Sequence, residues 1–153
     1  MRLGWLVASN VIFQAAVVAK QAADLHTNTL EQRVAARLLE SFDYEGHVAN
    51  LCMVYGERCS QMLSALESYF PSEIKWTRPD GGLFLWVELP EYLSAEDLFT
   101  EAIAERVAFV PGTSFFPCKA RSNFMRLNFS NQKPEMIDVG MQRLASVINR
   151  RLV

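Results

Sequence analysis

The chain has 153 residues, half of them hydrophobic and 21% charged, enough for one ordinary domain, or for one domain carrying part of another, with ample material for a core. Fifteen Lys and Arg against seventeen Asp and Glu give a formal net charge of −2. That balance argues against a nucleic-acid binder, which needs a basic surface to neutralise phosphates. No apolar run approaches bilayer-spanning length and the N-terminus MRLGWLVASN lacks a signal-peptide apolar region, so neither membrane anchoring nor secretion is expected.

In chain order, Leu3, Trp5 and Val7 alternate as in a strand, and Ser9-Asn10 can end it and cap the next element. Val11 to Ala23 is rich in Ala and Val without Gly or Pro, which suits a buried helix. Leu25-His26-Thr27-Asn28 breaks it. Thr29 with Gln32 reads as a capping box opening a helix to about Phe42. Gly46 punctuates, and a third helix runs to Phe70. Its apolar positions Val48, Cys52, Tyr55, Cys59, Met62, Leu66 and Tyr69 alternate in steps of four and three. Cys52 and Cys59, seven apart on that stripe, read as small core hydrophobes. With Cys118 they make an odd count without a C-x-x-C pair, and His26 and His47 stand apart. Neither a disulfide framework nor a metal site is expected, and a reducing cytosol fits best.

The second half changes character. Ile74 to Thr77 is a short strand, Pro79-Asp80-Gly81-Gly82 is turn chemistry, and Leu83 to Leu89 is a strong strand that Pro90 stops. Ser94 with Asp97 caps a helix reaching about Glu105. Val107 to Val110 reads as another strand, closed by Pro111-Gly112, and Phe124 to Phe129 as the last. Pro134 opens a final helix carrying Ile137, Met141, Leu144 and Ile148, with Arg150 and Arg151 at its C-terminal end. The pattern is α+β, with a first strand that has no partner near it in sequence.

Three stretches could carry chemistry. Alternation puts Met125, Leu127 and Phe129 on one face of the last strand and Phe124, Arg126 and Asn128 on the other. A guanidinium beside an aromatic and an amide suits bidentate recognition of a carboxylate, or else marks a solvated face with a surface ion pair. Gly81-Gly82 before Leu83-Phe84-Leu85-Trp86 allows close approach to a ligand, or simply a tight turn. Phe109 to Phe116 ends in two aromatics that could line an apolar pocket or pack a satellite core. There is no G-x-S-x-G, P-loop or H-E-x-x-H, and none of Lys20, Lys75, Lys119 and Lys133 has a nucleophile-like setting.

Taken in order, Arg2-Leu3-Gly4-Trp5, Ala23-Asp24-Leu25-His26-Thr27, Arg78 to Val87, Phe109 to Phe115 and Met125 to Ser130 resemble the C-terminal part of a fold-type I, pyridoxal-phosphate-dependent aminotransferase of class I/II. The nearest branch is the 2-aminoadipate/kynurenine aminotransferase-like enzymes. The resemblance covers essentially the whole chain. It implies a fold in two parts: residues 1–44 as a remnant of the large cofactor domain, with an orphan strand and interdomain and dimer helices, and residues 45–153 as the small C-terminal domain. That small domain should have a mostly antiparallel sheet with helices packed on one face.

The resemblance also implies roles. Arg2, in the R-x-G-W stretch, would bind the phosphate of pyridoxal 5'-phosphate. Arg126 would grip the α-carboxylate of the amino acid and 2-oxoacid substrates, with Asn128 beside it and Phe84 lining the pocket. Leu25 would reach into the partner's active site in a cytoplasmic homodimer. The family's Schiff-base lysine, its ring-nitrogen aspartate and its ring-stacking aromatic precede the R-x-G motif, so no catalytic residue is expected in this chain, which alone should be inactive. The alternatives are the aminotransferase-like sensing domain of a winged-helix transcriptional regulator, or a structural or dimerisation module.

Overall fold

The structure, a computed structural model, describes residues 2–117 and 122–152. Cys118 and Lys119 lie outside the described residues. The elements run α1 (Asn10–Ala23), α2 (Thr29–Ser41), α3 (Tyr44–Tyr69), β1 (Lys75–Trp76), β2 (Phe84–Glu88), α4 (Ala95–Ala104), β3 (Val110–Pro111), a 3₁₀ turn at Gly112–Phe115, β4 (Phe124–Asn128) and α5 (Pro134–Asn149). The chain divides into two compact units, Met1–Val48 and Ala49–Val153, and α3 runs across the division. Among the described residues no helix is long and apolar enough to cross a membrane.

The first unit is helix without a core. Residues 2–9 form no strand, contrary to the alternation of Leu3, Trp5 and Val7. A ladder needs a second strand, and none of the described residues supplies one. Trp5 and Val7 are 86% and 91% exposed. Ser9 occupies the N-cap position of α1 without a side-chain cap bond. Nor is α1 the buried helix its Ala- and Val-rich composition suggests, because none of its residues is buried. The cap of α2 sits one residue earlier than the Thr29–Gln32 pattern places it. Asn28 Oδ1 accepts from the amides of Leu30 at 2.9 Å and Glu31 at 3.3 Å, and Gln32 Nε2 donates to the Thr27 carbonyl at 2.8 Å. Asparagine outranks threonine as a cap, which explains the shift. Helix α3 starts before Gly46, because Asp43 Oδ1 caps the Gly46 amide at 2.9 Å.

The second unit holds the core. Its sheet has the order β1-β2-β4-β3, antiparallel throughout. Leu85 and Val87 of β2 face Leu127 and Met125 of β4 on the inner side, all buried. Met62, Ala65 and Leu66 of α3, Leu98 and Ala102 of α4, and Ile137, Met141, Leu144 and Ile148 of α5 pack into the same cluster. Helices thus cover one face of the sheet, as the resemblance implies. Burying a side chain of this size contributes about 1.5–3 kcal/mol, so this cluster dominates the stability of the described chain.

Two expectations need correction here. Cys52 is exposed rather than core, while Cys59 packs half-buried against the cluster, and burial pushes its thiol above the ordinary range. The apolar stripe of α3 is longer than the core it feeds, whose first buried residue is Met62. The segment Val107–Val110 also pairs only from Val110 onward. Its start is spent on ending α4: Arg106 takes φ +62°, its amide bonds to the Ile103 carbonyl at 2.9 Å, and that of Val107 to Ala102 at 2.8 Å. This is the bond pattern of a Schellman stop, which uses the amides a strand would need. At the far end, Arg150 and Arg151 bind Glu105 and Glu101 of the α4 end.

Candidate functional site

The outer face of the sheet is where its chemistry lies. Pairing sets Phe84 opposite Asn128 and Trp86 opposite Arg126, with Val110 of β3 opposite Arg126 on the other side. Opposed residues of an antiparallel pair point to one face. Arg126 therefore stands mid-sheet, with a strand on either side of its backbone. Its guanidinium carbon lies over the Phe84 ring, 4.0 Å from the centroid, and over the Phe115 ring at 4.5 Å. These are cation–π distances.

The charge has no anionic counterpart among the described residues. Among the described residues Arg126 makes no ion pair, and its Nε is buried without a hydrogen-bond partner. Leaving such a donor unsatisfied costs about 1–3 kcal/mol, and a native arginine in that condition calls for a partner. The alternative of a surface ion pair therefore does not describe Arg126. Two aromatic rings hold the guanidinium, whose planar fork is of the kind that suits a carboxylate.

The aromatics divide the work. Trp86 stacks on Phe124 at 5.8 Å and 21°, and meets Phe115 and Phe116 edge-on at 5.6 and 5.9 Å. Phe116 also lies 5.3 Å from Phe124. Of the two readings of Phe109–Phe116, the structure shows the satellite cluster: Phe115 and Phe116 both pack on Trp86, and Phe115 also lies over the arginine. Gly112 makes this possible. A Cβ there would sit 2.6 Å from Phe124 Cβ, so only glycine lets the turn lie down on β4. In the preceding turn, Gly82 has φ +87° with nothing near its missing Cβ, which assigns the paired glycines to turn formation.

Asn128 is exposed at the end of β4. Its Oδ1 accepts from Ser130 N at 2.7 Å and Ser130 Oγ at 2.8 Å. A backbone N–H can only donate, so the amide oxygen is committed to this turn and its NH₂ is turned away from it. Arg58 of α3 donates to the Ser130 carbonyl and ties the turn to the core helices.

In the first unit, Arg2 and Leu25 line one open groove of about 630 Å³, together with Gly4, Trp5, Phe13 and Lys20. Arg2 makes no ion pair among the described residues, whereas Lys20 is paired to Asp24 at 2.7 Å. Leu25 is 67% exposed with φ +64°, a conformation that costs a non-glycine residue about 1–2 kcal/mol. Its amide bonds to the Lys20 carbonyl at 3.1 Å, which holds the strained turn at the end of α1. Strain of this kind concentrates at functional positions. Of the sequence-expected residues, the structure thus brings Arg2 and Leu25 together in one unit, and Phe84, Arg126 and Asn128 together in the other.

Comparison with known proteins matches the family described as Aminotransferase class I and II over residues 1–144. The chain belongs to this family. Aromatic-amino-acid aminotransferase 1 of Thermococcus litoralis is 38% identical over 99% of the chain. Among solved structures, the alpha-aminoadipate aminotransferase LysN from Thermus thermophilus, complexed with N-(5'-phosphopyridoxyl)-L-leucine, superposes with a TM-score of 0.86 at 41% identity. That match covers 94% of this chain and 37% of LysN. A transcriptional regulator of the HTH type, YdfD of Bacillus subtilis, is 27% identical over 97% of the chain and 30% of its own length. The chain spans about 36–38% of the first curated aminotransferases it matches.

Residue-level reasoning named the Phe109–Phe116 stretch without assigning Phe115 to Arg126. The register supplies the missing link: Val110 pairs with Arg126, and five residues later the turn returns a ring to the same arginine. Sequence spacing alone does not disclose that fold-back.

Proposed function

We propose that this chain is the C-terminal part of a pyridoxal-phosphate-dependent aminotransferase that moves an amino group between an amino acid and a 2-oxoacid. The observation that carries the reading is Arg126, a guanidinium set on two aromatic rings with a buried, unpartnered Nε and no anion beside it among the described residues. Family membership supplies the chemistry, and the geometry supplies a residue able to hold the carboxylate that both substrates share. Residues 1–44 correspond to a remnant of the large domain and 45–153 to the small one.

In this reading Arg126 receives the α-carboxylate in the plane of its fork and fixes how the substrate's Cα is presented. Phe84 and Phe115 hold the guanidinium by their faces and exclude water from it, which strengthens the charge-assisted bonds. Positioning of this kind can be worth several kcal/mol of barrier. The Asn128 NH₂ adds a donor on the same face.

What supports the groove as the place for the phosphate of pyridoxal 5'-phosphate is Arg2, which lines it beside Gly4 and makes no ion pair among the described residues. Arg2 would hold that phosphate, and the bound group would supply an electron sink for carbanion chemistry at Cα. Leu25, exposed on its strained turn, suits a contact made to a second subunit in a homodimer. By the family resemblance the Schiff-base lysine stands before the R-x-G stretch of Arg2, so Arg2, Phe84, Arg126 and Asn128 are read as binding residues.

A chimera tests this: these 153 residues replace the matching C-terminal part of LysN. It should transfer amino groups. Arg126→Ala in it should raise KM for both substrates by about 10–100-fold, the worth of a charged hydrogen-bonded pair, with a smaller change in kcat. An active chimera whose KM ignores Arg126→Ala would reduce Arg126 to a surface residue.

A further inference from the structure

Phe115 is the less anchored of the two rings on Arg126. Phe84 belongs to β2 and is fixed by its ladder with β4. Phe115 ends a four-residue 3₁₀ turn and is exposed on its outer side. That turn ends on a long bond, from the Phe116 amide to the Thr113 carbonyl at 3.4 Å. Short 3₁₀ segments have poor hydrogen-bond geometry and hold their shape through outside contacts.

One such contact reaches a different element. Thr113 Oγ1 donates to Glu96 Oε1 at 2.6 Å, an ordinary length for a hydroxyl on a carboxylate. Glu96 stands in the first turn of α4, which is well fixed. Ser94 Oγ caps the Asp97 amide at 3.3 Å, the Ala95 amide bonds to the Ser122 carbonyl at 2.8 Å, and Ala95, Leu98 and Ala102 are buried. The backbone of Glu96 is thus a firm point, from which its exposed carboxylate reaches the short turn. Two residues beyond Thr113, that turn delivers the Phe115 ring to the guanidinium. Threonine hydroxyls readily bond to their own backbone instead. Here the proton is committed to the helix.

We propose that Thr113 and Glu96 form a latch that seats Phe115 against Arg126, making both of them positioning residues for the carboxylate clamp. The proposal rests on Arg126 being that clamp, and it assigns a task to two residues that touch neither substrate nor cofactor. Gly112, lying against Phe124, sets the depth of the turn. The latch sets its rotation about that contact, and with it the distance from ring to cation.

The ring current of Phe115 at the Arg126 Nε–H and δ-methylene signals reads this directly by NMR on the 153-residue chain. Phe115→Leu calibrates the effect by removing the ring. Thr113→Val, equal in shape but without the hydroxyl, and Glu96→Ala should each move those signals more than half of the way to their Phe115→Leu positions. Thr113→Ser and Glu96→Gln, which keep a donor and an acceptor, should stay near the wild-type positions. A second arm titrates 2-oxoglutarate, whose binding Thr113→Val should weaken about threefold, in line with a partly exposed cation–π contact. If Thr113→Val leaves the arginine signals where wild type has them while Phe115→Leu moves them, the latch is overturned. If Phe115→Leu itself moves nothing, the ring does not sit on the cation and the latch is overturned as well. Should the latch variants shift the signals as expected in a chain that shows no response to 2-oxoglutarate, the positioning stands and the clamp falls.

Discussion

Residues 2–48 and residues 49–152 are built by the same local rules and end in opposite states. The first stretch forms two capped or cleanly ended helices, neither of which has a buried residue. The second encloses a single cluster fed by a sheet and three helices. Helical periodicity reports which residues share a face, but burial requires a second surface to close on that face. The contrast separates Arg126, set between two rings on a paired strand, from Arg2, which lines an open groove. A binding group set on a strand inside a core is preorganised; one beside an uncovered helix is not.

The largest effect that could break this comparison is a core truncation. Leu66→Ala, at a fully buried position of α3, should destabilise the chain by about 3 kcal/mol. Leu38→Ala, exposed on α2, should change it by under about 0.5 kcal/mol. Urea midpoints compare the two, and equal losses would mean that both regions share one core. Next comes Gly112→Ala, where a methyl would meet the Phe124 Cβ and carbonyl. A cost of about 1–3 kcal/mol is expected, against none for Gly4→Ala, which has open space around it. Smallest is Asn28→Ala, which removes the α2 cap. It should cost that helix about 1 kcal/mol, seen as faster hydrogen exchange at the Leu30 and Glu31 amides, with the unfolding midpoint of the second region unchanged. A drop in that midpoint would couple the regions energetically.

Much of this was legible in the residues. The strand Leu83–Leu89 is bounded by Gly82 and Pro90, the strand Phe124–Phe129 is marked by alternation, and both form within a residue or two of those limits. The inward and outward sides of β4 also follow the alternation, because period two fixes the face once one side is buried. What failed did so where a neighbour decides. The Leu3–Val7 alternation finds no partner strand, Cys52 lies on the stripe of α3 before the core begins, and Val107 gives its amide to a helix stop. The site was half legible. Arg126, Phe84 and Asn128 came from the strand pattern and the family resemblance, but the fold-back that puts Phe115 on the arginine depends on register between β3 and β4. No local pattern carries that register. Nor does sequence mark Thr113 for Glu96, seventeen residues away.

The central claim is that Arg126 is a preformed carboxylate site within the folded second region. It is tested most directly by following the Arg126 Nε–H resonance in the 153-residue chain as 2-oxoglutarate is added at constant ionic strength. A preformed site predicts a saturable shift at that resonance, lost in Phe84→Ala, with the core amides unmoved. A resonance that stays in place through the titration would contradict it.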